Sequence, residues 1–113
     1  AIYLPYVIAY NAKDPVAASR YAEIARRMGL SGTSEKALIN SLREKIQEFN
    51  RKLNIPATLK EFGIDEAEFK EKLANIAELA VGDACTGSNP RAIDPETMAK
   101  LLTCTYYGTE VDF

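Results

Sequence analysis

The chain has 113 residues, 47% apolar and 27% charged, with a formal net charge of −2. That length predicts one domain over residues 1–113 with a small core, and the composition excludes a disordered chain. The mixed charge excludes a nucleic-acid footprint, no apolar run is long enough for a membrane span, and the absence of histidine removes the commonest general base and transition-metal ligand.

Residues Ala1 to Tyr10 are apolar on nearly every side, which predicts a helix buried all round. There is no N-cap residue and no basic n-region, and Pro5 fits only a first turn or a kink. Such an abrupt apolar start reads as a helix cut from a longer chain. Asn11 to Lys13 break the pattern. Asp14-Pro15 then opens a second helix, with Asp14 as N-cap and Pro15 at the first helical position. Its apolar face is read as Ala17, Tyr21, Ile24 and Met28, with Glu23 and Arg27 paired on the wet side and Gly29 at the end.

Ser34 caps the third helix, where Leu38, Leu42, Ile46, Phe49 and Leu53 form an amphipathic stripe. The opposite face, with Arg43, Glu44, Lys45, Glu48, Arg51 and Lys52, reads as solvated, or alternatively as a partner-binding face. Asn54-Ile55-Pro56 stops this helix. Thr58 to Glu61 has the capping-box pattern and starts one short turn. Asp65 caps the next helix, whose buried side is read as Phe69, Leu73, Ile76 and Ala80; the pairs Glu66–Lys70 and Glu68–Lys72 support the wet side. Asp94-Pro95 begins the last helix, with Met98, Leu101, Leu102 and Tyr106 apolar and Gly108 closing it. Thr109 to Phe113 is a tail that is ordered only if Phe113 docks. No strand pattern and no internal repeat emerge, so the fold class is all-α: a bundle of about five helices plus a short turn.

The stretch Asp83-Ala84-Cys85-Thr86-Gly87-Ser88-Asn89-Pro90-Arg91 concentrates small, hydroxyl-bearing and turn-forming residues between two helices. Gly87 permits a positive φ and close backbone approach, and Pro90 pushes Asn89 toward an extended conformation. The plain alternative is a helix C-cap followed by a turn. Cys85 is the natural candidate nucleophile, needing a helix terminus or a Lys for activation; the alternative is a small buried hydrophobe. Thr86, Ser88 and Asn89 either bind a ligand or satisfy the loop's own backbone. Arg91 either meets a carboxylate or phosphate, or pairs with Asp83 or Asp94. Cys104 reads as core, and the tyrosines read as packing residues. Two cysteines are not a disulfide framework, and free thiols fit a reducing, cytoplasmic setting. Phosphate-binding glycine loops are absent.

Several stretches together resemble the C-terminal end of the iron-containing (group III) alcohol dehydrogenases, and look closest to the alcohol dehydrogenase half of bifunctional aldehyde-alcohol dehydrogenases. They are Leu4 to Ala12, Arg20 to Ala25, Leu53 to Pro56 with Leu59-Lys60-Glu61, Asp83 to Arg91, and Thr105 to Gly108. The Cys-Thr-Gly-x-Asn-Pro-Arg element is the most specific, and the likeness runs along nearly the whole chain. Tyr6 and Ala9 depart from the His and Arg that relatives often carry there. The resemblance implies the distal half of a helical catalytic domain that follows an N-terminal dinucleotide-binding domain. It also implies reversible hydride transfer between NAD(H) and an alcohol or aldehyde, with iron or zinc polarising the substrate oxygen.

In that family the metal is held by one Asp and three His. The resemblance places those ligands before Ala1, so no metal, cofactor or catalytic residue is assigned within this chain. The loop residues Cys85, Thr86, Gly87, Asn89 and Arg91 are expected to border the substrate cleft. The expected partner is the N-terminal dinucleotide-binding domain, with a homo-oligomer as a further option. The competing reading is a helical interaction module with no catalytic role. A cut enzyme domain would expose Ile2, Leu4, Val7 and Ile8, or bury them in a dimer made only to hide them, whereas a self-sufficient module would bury them within one chain.

Overall fold

The computed structural model describes residues 1–113, and its regular structure is helical throughout. The helices are α1 (Leu4–Asn11), α2 (Pro15–Arg27), α3 (Glu35–Lys52), the single short turn α4 (Leu59–Phe62), α5 (Glu66–Gly82) and α6 (Pro95–Tyr107). One 3₁₀ turn, Thr86–Ser88, lies between α5 and α6. Five long helices and one short turn are the architecture the periodicity predicts.

Helices α2 to α6 start at the predicted residues because each start is a local chemical event. Asp14, Ser34, Thr58, Asp65 and Asp94 accept from the N–H groups of Ala17, Ala37, Glu61, Glu68 and Thr97 at 2.7–3.1 Å. Each cap contributes about 1 kcal/mol. Glu61 also reaches back, but to the Ala57 N–H at 2.9 Å. Glu68 turns to Lys72 instead. Pro5 sits in the first turn of α1, where its missing N–H costs nothing. Gly108 ends α6 at φ +75°, and a Cβ there would lie 2.9 Å from Thr58 Cγ2, so both backbone and space demand glycine.

Packing divides the chain into two helix pairs joined by α1. On one side Ala22 and Ala25 of α2 bury against Leu38 and Leu42 of α3. On the other, Leu59, Phe69 and Ala77 pack against Leu102 and Tyr106 of α6. The Phe69 and Tyr106 rings stack at 4.4 Å, worth about 0.5–1.5 kcal/mol beyond area burial. Helix α1 serves both sides: Ile8 meets Ala18 and Ile39, while Tyr6 and Tyr10 meet Leu101, Cys104 and Val111. This two-sided contact buries Tyr6, Ile8 and Tyr10, but the helix is not buried all round as expected. Leu4 is exposed and Val7 and Ala9 are half-buried, because the two helix pairs leave part of its surface uncovered. The Tyr6, Tyr10 and Tyr106 hydroxyls donate to the carbonyls of Ala57, Ala92 and Ile64, so three buried phenols are satisfied by loop backbone. Burial pushes the Tyr6 and Tyr106 phenols above their ordinary value, with nearby carboxylates adding to it.

Several expected faces are corrected. In α2 the buried residues are Ala17, Ala18, Ala22 and Ala25, while Ile24 and Met28 are exposed and Tyr21 is half-buried. Alanines let α2 lie close to α3, and the larger side chains fall beside that contact. The α3 stripe is buried only at Leu38 and Leu42, where α2 packs; Ile46 is half-buried, Phe49 is exposed and Leu53 is 69% exposed. In α5, Ala77 is buried where Ile76 is exposed. Arg43 is not on a solvated face: its Nε donates to the Pro5 carbonyl at 3.0 Å, with Glu110 3.6 Å away. Phe113 does dock, 6.2 Å from the Tyr10 ring, and Val111 is buried. Of the residues a cut domain is expected to expose, Leu4 is exposed, Ile2 and Val7 are half-buried and Ile8 is buried.

Ala22 is fully buried at the α2–α3 contact. Ala22→Leu is expected to lower thermal stability by about 1–3 kcal/mol, measured by calorimetry. A second expectation concerns pH. Hydrogen bonds from Lys52 and Lys45 hold the Glu48 carboxyl down from its ordinary 4.5 to about 2. The lowered pKa means that the Glu48 contribution is fully present above pH 4.5 and lost as the pH falls toward about 2. A carboxyl-resolved NMR titration should show that midpoint in the native chain and lose it in Lys52→Met.

Candidate functional site

The loop begins where α5 stops. Asp83 turns extended, and its carboxylate accepts from the Cys85 N–H at 2.8 Å. The Thr86 hydroxyl donates back to the Ala80 carbonyl in the last turn of α5 at 2.6 Å, and the Ser88 hydroxyl donates to the Cys85 carbonyl at 2.8 Å. Asn89 is extended (φ −64°, ψ 137°), as a residue before proline should be. The turn so formed covers a cleft of about 430 Å³ between α1 and α6. Cys85, Thr86, Ser88, Asn89 and Pro90 form one wall of it. Val7 and Tyr10 of α1 and Ile93, Met98 and Leu101 around α6 form the other.

Two contacts pin the loop. Asn11, at the end of α1 and only 2% exposed, donates from Nδ2 to Asn89 Oδ1 at 2.9 Å and accepts from Asn89 Nδ2 at 2.8 Å. The second Asn89 amide proton goes to the Arg91 carbonyl at 2.6 Å. Arg91 lies over the Tyr10 ring, 4.0 Å from its centroid, and Nη1 donates to the carbonyls of Tyr10 and Phe113 at 2.9 and 2.8 Å. The guanidinium thus adds to a carbonyl in the last turn of α1 whose backbone donor, the Lys13 N–H, is 3.4 Å away. A cation over a tyrosine face adds about 0.5–2 kcal/mol.

Of the loop residues expected at the cleft, Cys85, Thr86 and Asn89 line it, whereas Gly87 and Arg91 do not. Thr86, Ser88 and Asn89 spend their protons on protein acceptors. Arg91 pairs with two carbonyls rather than with Asp83 or Asp94. Gly87 takes no positive φ, and a Cβ there would meet nothing within 4 Å, so the expected close approach is not made; the middle of a 3₁₀ turn uses ordinary φ. Cys85 is exposed, not a buried hydrophobe, and stands before a three-residue turn too short to supply a helix field. Cys104 is buried and donates to the Glu110 carbonyl.

The sequence marks Asn11 only as a chain break and Tyr10 only as a packing residue, yet these two hold the loop. A buried amide closing an apolar helix was the available signal. Its partner lies 78 residues away, beyond any periodicity. No cluster of three or more His, Cys, Asp or Glu gathers anywhere to hold a metal ion, and no helix is long and apolar enough to cross a membrane.

Comparison with known proteins gives a consistent picture. The model of the Fe-containing alcohol dehydrogenase family, C-terminal part, matches residues 1–106. The chain is 53% identical over all 113 residues to an NADPH-dependent butanol dehydrogenase of Clostridium saccharobutylicum, covering 29% of that protein. It is 34% identical to the bifunctional aldehyde-alcohol dehydrogenase AdhE of Escherichia coli K12, over 97% of this chain and 14% of that one. An alcohol dehydrogenase of Thermococcus barophilus is 37% identical over 95% of this chain and 26% of its own length. The chain therefore spans under a third of the length of these curated relatives. Identity is higher to the butanol dehydrogenase than to the bifunctional enzyme toward which the residues pointed.

The different settings of the two thiols are open to direct test. In the folded chain Cys85 should react with a chromogenic disulfide at least tenfold faster than Cys104, and Cys85→Ser should remove the fast phase and leave the slow one.

Proposed function

Since the chain belongs to the Fe-containing alcohol dehydrogenase family and matches its C-terminal part, we propose that it acts as the distal half of the helical catalytic domain of such an enzyme. The reaction is aldehyde–alcohol interconversion by hydride transfer with a nicotinamide dinucleotide. The carrying observation is the unbroken family match over residues 1–106, coupled to a pinned loop over an apolar cleft. NADPH in the name of one relative and the wider family together favour NAD(P)(H) over a choice between the two forms.

The family name implies iron, and the residues here do not fit it. Histidine is absent, and no three carboxylate or thiol side chains converge. On this reading the metal is held by the part of the enzyme that precedes these residues, and the nucleotide by its dinucleotide-binding domain. This chain's own part is to wall the substrate space. Val7, Ile93, Met98 and Leu101 supply apolar surface that excludes water and favours the alkyl portion of an alcohol. The loop donors are already engaged, so the wall holds its shape without a ligand. The exposed Leu4 and Tyr3 beside half-buried Ile2 and Val7 suit a face that meets further protein.

Purified residues 1–113, mixed with NADPH or NADH, butanal and added ferrous or zinc ion, should give no turnover; measurable turnover would refute the assignment. In the enzyme that carries this segment, Cys85→Trp should raise the aldehyde KM about tenfold by filling the cleft, with the nucleotide KM unchanged.

A further inference from the structure

We propose that Asn11, Asn89 and Arg91 are positioning residues: a latch, anchored on the end of α1, that fixes the Cys85–Ser88 turn and so sets the width of the substrate cleft. The substrate half of this inference rests on the cleft reading above; the latch half stands on geometry alone.

Three observations carry it. First, the turn has few ties to the body of the fold. Its internal bonds, Thr86 N–H to Asp83, Ser88 N–H to Cys85 and Asn89 N–H to Thr86, run only within the loop. Thr86 Oγ1 to Ala80 reaches no farther than α5. From Asp83 to Arg91 the side-chain bonds to α1 are the reciprocal Asn11–Asn89 pair and Arg91 to Tyr10, and just beyond them the Tyr10 hydroxyl donates to the Ala92 carbonyl. Second, the anchor is rigid. Asn11 is buried at 2% exposure, and its Nδ2 also lies 3.4 Å from the Tyr21 hydroxyl of α2. Third, Arg91 is shared: by donating to both Tyr10 and Phe113 it ties the loop, α1 and the tail into one unit. An amide pair that closes both of its hydrogen bonds has one geometry. Opening it strands a buried donor and acceptor, which makes the latched state well defined.

The test uses the whole enzyme bearing this segment as its C-terminal part, with Asn11→Ala and Asn89→Ala as disrupting variants. Asn89→Asp is the conservative variant, since it keeps the acceptor for Asn11. Peptide-resolved hydrogen exchange over residues 84–90 should speed up about tenfold in the disrupting variants, while peptides from α2 and α3 keep their protection and report intact folding. The aldehyde KM should rise about fivefold with kcat within about twofold, as expected when only substrate placement is loosened; Asn89→Asp should give smaller changes in both. If exchange over 84–90 is unchanged in both disrupting variants, the latch is overturned. If exchange accelerates and KM stays as it was, the turn is latched but the cleft reading is wrong, and the substrate half falls with it. Should Asn11→Ala lose protection in α2 and α3 as well, Asn89→Ala, altered on the loop side only, decides.

Discussion

Two side-chain amides, Asn11 and Asn89, face each other across 78 residues of sequence and satisfy one another in both directions. Leaving the buried Asn11 amide without this partner costs about 1–3 kcal/mol, so the pair favours docking of the loop after α5 on the end of α1. Arg91 reinforces the same junction by stacking on Tyr10 and taking up the carbonyls of Tyr10 and Phe113. This junction is where the turn that walls the cleft meets α1.

The junction depends in turn on α1. Helices of eight residues are marginal alone, and α1 gains its order from contacts on two sides. It inserts Ile8 between α2 and α3 and lays Tyr6 and Tyr10 on α6. Its first turn is held by Arg43, whose charged group reaches across from α3 to a main-chain oxygen. The α2–α3 pair and the α5–α6 pair are thus linked through one short apolar segment.

What could be read from the residues follows the range of the forces. Caps and breaks act over three or four positions, and Asp14, Ser34, Thr58, Asp65 and Asp94 were all legible. Which apolar side of a helix is buried depends on its neighbour, and α2 misled: Ile24 and Met28 carry the larger side chains, yet the alanines meet α3. The loop's composition marked it as unusual, and its membership of a family motif located it. The hydrogen-bond partners of Asn89 and Arg91 were not legible, because they come from α1 and the tail. Gly87 shows the opposite error, a permissive residue whose freedom the backbone does not use.

The three buried tyrosines grip main-chain oxygens, at Ala57, Ala92 and Ile64, and not the side chains found there. A carbonyl is common to every amino acid. The connecting segments can therefore drift in sequence over evolutionary time while their anchorage persists, provided the phenols stay. Variation among homologous proteins would then be expected to run more freely at Ala92 and Ile64 than at Tyr10 and Tyr106, a pattern in which the hand is kept and the rope is exchanged, while Tyr6 stands where relatives often carry His.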